Sequence, residues 1–121
     1  MALIAKTTFT VKSENRASFL ADFGPLVAMT KAAPGCSWAY VAEGLDISNM
    51  EDVDETADVK IEVLSYWSSE DAFDSHIRWR IGTERWSKLE ERYLTDGPRY
   101  SLMPVMFAFE CLLLLIFGII V

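Results

Sequence analysis

The stretch Tyr66-Trp67-Ser68-Ser69-Glu70-Asp71-Ala72-Phe73-Asp74-Ser75-His76 carries an alternating apolar strand into an aromatic pair, a capping box and an amphipathic helix. Ser68 followed three residues later by Asp71 offers an oxygen and a carboxylate to the orphan amides of a helix start, so the strand is expected to end at Trp67. A helix is expected from Ser69 to Tyr93. The chain's only histidine, His76, then falls two turns into it.

Working outward, Leu3 to Val11 alternates, with Leu3, Ala5, Thr7, Phe9 and Val11 on one face, as a strand between two unlike environments does. Ser13 is expected to cap a helix reaching Lys31, whose apolar face is Phe19, Leu20, Phe23, Leu26 and Val27, with a kink at Gly24-Pro25. Pro34-Gly35 is a turn signal. Beyond it Cys36, Trp38, Tyr40 and Ala42 are expected on one face of a second strand. Lys60 to Trp67 reads as the third strand. After the long helix, Asp96-Gly97-Pro98 resets the chain before a fourth, from Arg99 to Val105. The order βαββαβ predicts an α+β, ferredoxin-like domain over residues 1–105, with a four-stranded antiparallel sheet and its helices on one face. The other face is left bare and aromatic, so a second copy of the chain is expected to cover it as a homodimer.

The two aromatic segments, Ala33-Pro34-Gly35-Cys36-Ser37-Trp38-Ala39-Tyr40 and the run from Trp67 through Ser69, Glu70, Ala72 and Phe73 to His76, resemble the antibiotic biosynthesis monooxygenase (ABM) family over about Leu3 to Val105. The resemblance implies a dimeric α/β barrel and oxygenation of an electron-rich polyketide, quinol or anthrone by O2, without metal, flavin or haem. In that reading His76 or a water aids deprotonation of the substrate, and Trp67 and Tyr66 wall the cavity. The family's haem-degrading branch carries an Asn on the first strand and a later His. This chain has Thr7 and Thr8 on that strand and no second histidine, which disfavours haem chemistry.

Few other side chains carry chemistry. His76 alone has an ordinary pKa near neutrality, and it lies at the edge of the stripe Phe73, Ile77, Ile81, where it faces either a pocket or a solvent boundary. Arg80, one turn on, offers a partner around an anionic substrate oxygen. Glu84, a further turn on, offers it a simpler surface ion pair, and that is the favoured reading. Trp38, Tyr40, Tyr66 and Trp67 suggest a flat substrate cavity with rigid walls. Trp79 and Trp86 are expected on the opposite side of the helix, away from it.

The composition narrows the partners. With 121 residues the chain has room for one modest core, and its formal charge of −7 opposes attraction to nucleic acid, including at Arg78-Trp79-Arg80. Cys36 and Cys111 have neither metal-ligand spacing nor further partners, and no leader precedes Lys6, so a reducing, cytoplasmic setting is expected. The acidic run Glu51 to Asp58 reads as a solvated loop and lacks the pattern of a calcium loop.

Residues 106–121 form an apolar tail in which Glu110 is the sole charge. Its side chains favour membrane insertion, yet sixteen helical residues span roughly 24 Å against a hydrocarbon core of about 30 Å. Three readings stand: a tail anchor giving membrane association, packing on the dimer, and a misjudged gene end. Two functions from different classes follow for the whole chain. One is a cofactor-independent monooxygenase of a small aromatic; the other is a non-catalytic dimeric binding or scaffold module. The position of His76 separates them, because an enzyme needs it at a cavity.

Overall fold

A computed structural model describes residues 1–44 and 58–107. The readings of the acidic run before Asp58 and of the tail beyond Phe107 lie outside the described residues. β1 (Leu3–Val11) alternates buried and half-buried positions along its whole length, as its sequence pattern requires. It pairs antiparallel with β3 (Val59–Trp67) on one side and β4 (Leu94–Pro104) on the other, and β2 (Cys36–Gly44) pairs with the outer edge of β3. The sheet order β2-β3-β1-β4, with helices on one face, is the ferredoxin-like α+β arrangement.

Register decides which residues share a face. Leu3 lies opposite Trp67, Ala5 opposite Ser65, Thr7 opposite Val63 and Phe9 opposite Ile61, so the odd-numbered residues of both strands meet the helices. α1 (Arg16–Ala32), α2 (Glu70–Ile81) and α3 (Glu84–Tyr93) cover that face. The larger core gathers Phe9, Val11, Ile61 and Val63 under Phe19, Phe23 and Leu26 of α1 and Trp86, Leu89 and Tyr93 of α3. Phe19 and Phe23 stack at 4.8 Å, and Trp86 meets Phe23 edge-on at 5.8 Å. A smaller core of Leu3, Ala5, Trp67 and Phe73 lies at the other end.

Several local expectations are corrected. Ser13–Asn15 forms a 3-10 turn, and α1 starts at Arg16 without a side-chain cap, because Asn15 is not in the extended conformation that turns a cap oxygen back onto the helix. As expected, α1 continues past Pro25, ending at Ala32, and its buried face is Phe19, Phe23, Leu26 and Thr30. The cap of α2 is Ser69, one residue later than expected: its Oγ accepts the N–H of Ala72 at 3.1 Å, while the N–H of Ser68 is drawn to the carbonyl of Gly35.

The expected long helix is two helices. Phe73, His76 and Arg80 are the buried residues of α2, whereas Trp86, Leu89 and Tyr93 are those of α3. One unbroken helix extending the first series would bury positions near 84 and 87 instead. The break at Gly82-Thr83 resets the phase so that Trp86 enters the core. β4 begins five residues earlier than expected, because a bulge on this edge strand accommodates Asp96-Gly97-Pro98, where proline's missing donor costs no ladder bond. A second bulge after Cys36 turns that residue to the helix face, while Trp38 and Tyr40 stay on the other.

Gly35 ties β2 to α2. It has φ +90, and a Cβ placed there would lie 2.6 Å from the Ala72 Cβ and 3.0 Å from the Ser68 Oγ. Both the backbone conformation and the space demand glycine. Gly35→Ala is therefore expected to lower stability by about 2 kcal/mol or more, read as a fall in the urea midpoint at unchanged slope. An unchanged midpoint would show that the turn yields without cost.

Candidate active site

Where the end of α1, the Pro34-Gly35 turn and α2 converge, they form an open cleft of about 610 Å³. Met29 and Ala32 of α1, Ala33 and Pro34 of the turn, Ser68, and Ala72, Ser75, His76 and Trp79 of α2 line it. The wall is mostly apolar. Met29 and Trp79, both more than a third exposed, stand at its mouth.

His76 is only 5% exposed. Its imidazole lies between two indoles, with centroids 5.1 Å from Trp67 and 5.6 Å from Trp79, each tilted by 31°. Trp67 is completely buried beneath it, braced edge-on by Phe73 and by an N–H donated to Ser65 Oγ at 2.8 Å. On the α1 side, Thr30 Oγ1 lies 3.3 Å from His76 Nε2. Burial pushes the His76 pKa down to about 4, with the nearby Arg80 charge acting in the same direction. The ring is thus neutral at neutral pH and able to accept a proton or a hydrogen bond.

The remaining sequence candidates fall elsewhere. Trp38, Tyr40 and Tyr66 sit together on the opposite face of the sheet, where Trp38 lies 5.1 Å from Tyr40 and 5.9 Å from Tyr66. They cannot share the cavity with His76 within one chain, because neighbouring strand residues face opposite ways. Arg80 is buried on the sheet side of α2, its guanidinium 3.8 Å from the Trp86 ring, and it neither lines the cavity nor pairs with Glu84. The helix break carries Glu84 off that face, and Lys88 takes it at 2.9 Å. Arg80 Nε and Nη2 and Trp86 Nε1 have no hydrogen-bond partner among the described residues. Trp86 is core, while Trp79 belongs to the cavity. Thr30 escaped the sequence reading, although it follows Phe19, Phe23 and Leu26 at helical spacing, a polar residue in line with an apolar stripe. Among the described residues no cluster of three or more His, Cys, Asp or Glu has metal-ligand geometry, and no helix is long and apolar enough to cross a membrane.

The lowered pKa has a stability consequence. His76 prefers the neutral form when folded, so its contribution is complete above the unfolded value of 6.5 and is lost as pH falls from there to about 4. The loss is at most about 3 kcal/mol. The urea midpoint is expected to drop through this window, and His76→Gln to flatten the drop. An equally steep fall in the variant would assign it to other groups.

Comparisons with known proteins agree with this fold. No curated protein sequence matches the chain. Among solved structures, Rv0793 from Mycobacterium tuberculosis superposes with a TM-score of 0.62 at 12% identity, over 91% of this chain and 100% of its own. A conserved protein from Methanosarcina mazei Go1 gives 0.59 at 20% identity, over 84% and 90%. SnoaB, a cofactor-independent oxygenase from Streptomyces nogalater, gives 0.58 at 15% identity, over 89% and 96%. At such identities the likeness is one of fold. The family model for antibiotic biosynthesis monooxygenases matches residues 2–78, which take in β1 to β3, Trp67 and His76, and on that match the chain belongs to the antibiotic biosynthesis monooxygenase family.

Proposed function

We propose that the chain is a cofactor-independent oxygenase that binds a small electron-rich aromatic, quinol or polyketide-type molecule in the cavity beside His76. The observation that carries this reading is a buried, neutral imidazole, fixed between Trp67 and Trp79, on the wall of an otherwise apolar cavity. A flat aromatic fits such a wall, and its hydroxyl meets the imidazole. His76 takes the phenolic or enolic proton, the resulting anion reduces O2, and the apolar lining excludes competing water. The substrate supplies the electrons. An anion formed against the imidazolium favours the charged ring and raises its pKa from that low value. Family membership and the likeness to SnoaB support the reaction class.

Oxygen uptake by the full-length chain with anthrones and hydroquinones tests this. Turnover is expected with at least one of them, and His76→Ala is expected to lower kcat by about 10²- to 10⁴-fold with the fold retained. Unchanged kcat in the variant would remove His76 from the chemistry. Binding of these compounds without oxygen uptake would favour a non-catalytic binding module.

We further propose a homodimer formed through the bare sheet face. Ile4, Trp38, Tyr40, Leu64, Tyr66 and Met103 share that face by register, and Tyr40 is 64% exposed. A second copy covers this apolar surface most economically. Sedimentation equilibrium of the full-length chain is expected to give a dimer at micromolar concentration, weakened by Tyr40→Glu. A folded monomer would overturn it.

A further inference from the structure

Thr30 has one hydroxyl proton and two neighbours that can take it: the Leu26 carbonyl oxygen at 3.3 Å and His76 Nε2, also at 3.3 Å. The choice sets the state of the imidazole. If the hydroxyl donates to Leu26, its oxygen is free to accept from a protonated Nε2, and the trio makes two hydrogen bonds. If it donates to Nε2 instead, only that one bond forms. In the second arrangement the Thr30 oxygen accepts no bond, and with Thr30 4% exposed water cannot readily supply one, so the arrangement with two bonds prevails. Neutral imidazole then carries its proton on Nε2 and a lone pair on Nδ1.

Nδ1 has no partner among the described residues. It is also absent from the sealed, unpartnered atoms, which are Arg80 Nε and Nη2 and Trp86 Nε1. Among the described residues nothing seals it, and the space His76 borders is the cavity.

We propose that Thr30 is a positioning residue that locks His76 in the Nε2–H tautomer and presents Nδ1 to the cavity as a hydrogen-bond acceptor. The site then selects ligands that bring a donor, such as a phenolic or enolic hydroxyl, over those bringing only a carbonyl or carboxylate. That Nδ1 receives the substrate's proton rests on the oxygenase reading above; the tautomer does not.

Because His76 is the only histidine, an untagged full-length chain labelled with ¹⁵N-histidine shows a single imidazole in a long-range proton–nitrogen spectrum. At neutral pH the expected pattern is a pyrrole-type Nε2 and a pyridine-type Nδ1. The reverse pattern, or an even mixture, overturns the proposal without any variant. Thr30→Ser is expected to keep the pattern and Thr30→Val to lose it, with the amide spectrum confirming that both fold. A folded Thr30→Val that keeps the parent pattern also overturns it. Adding hydroquinone then tests the ligand: a shift confined to Nδ1 is expected. An unmoved Nδ1 in the expected tautomer would reject hydroxyl binding at His76 while leaving Thr30 its role, whereas the wrong tautomer rejects that role whatever hydroquinone does.

Discussion

Adjacent residues on a strand cannot face the same way, and at Tyr66 and Trp67 this constraint divides the molecule into its two working surfaces. Trp67 enters the helix side, where it becomes the floor on which His76 lies. Tyr66 points away and joins Trp38 on the bare face. A slip of one residue would exchange them and dismantle both surfaces at once. The ladder to β1 prevents this, since Leu3, Ala5 and Phe9 must meet the helices opposite Trp67, Ser65 and Ile61.

The features legible in the sequence were those governed by a period. Alternation along Leu3–Val11 and Lys60–Trp67 placed the central strands, and the repeat of Phe19, Phe23 and Leu26 placed α1. What escaped was decided by contacts distant in sequence. Gly82-Thr83 is a helix-stop and helix-start pair that the apolar periodicity overrode in the sequence reading, and the break it makes lets Trp86 reach Phe23 on α1. Likewise a cap can be read to within one residue, but Ser69 rather than Ser68 serves because Gly35 engages the backbone of Ser68. Of the candidate site, His76 and Trp67 are singled out by the family resemblance, because on the residues alone the imidazole faces either a pocket or a solvent boundary. Thr30 is not, because the proximity of α1 to α2 is a property of the packed domain.

Arg80 illustrates how one buried charge acts on a neighbour that it does not touch. It lies one turn beyond His76 on the same helix, with its guanidinium stacked against Trp86 and its charge only partly compensated. Stacking on an aromatic face lessens the penalty of burying the cation. The field it leaves behind adds to burial in keeping His76 unprotonated. The sequence favours a surface ion pair with Glu84 over a ligand for an anion; in the folded chain the same residue is buried one turn from the imidazole and sets its electrostatic surroundings.

The slab of Trp67, His76 and Trp79 also bears on how binding free energy is divided. Two flanking rings, with Thr30 beside Nε2, leave the imidazole little rotational freedom before any ligand arrives. Association commonly costs about 0.5–1.5 kcal/mol for each flexible side chain it immobilises, and here the chemically important group has already lost that freedom during folding. The residual ordering cost falls on the mouth, where Met29 and Trp79 are partly exposed and methionine has much side-chain entropy to lose. For a ligand bound as proposed, affinity within one chemical type would be governed at the rim, and the orientation of its ring at the floor.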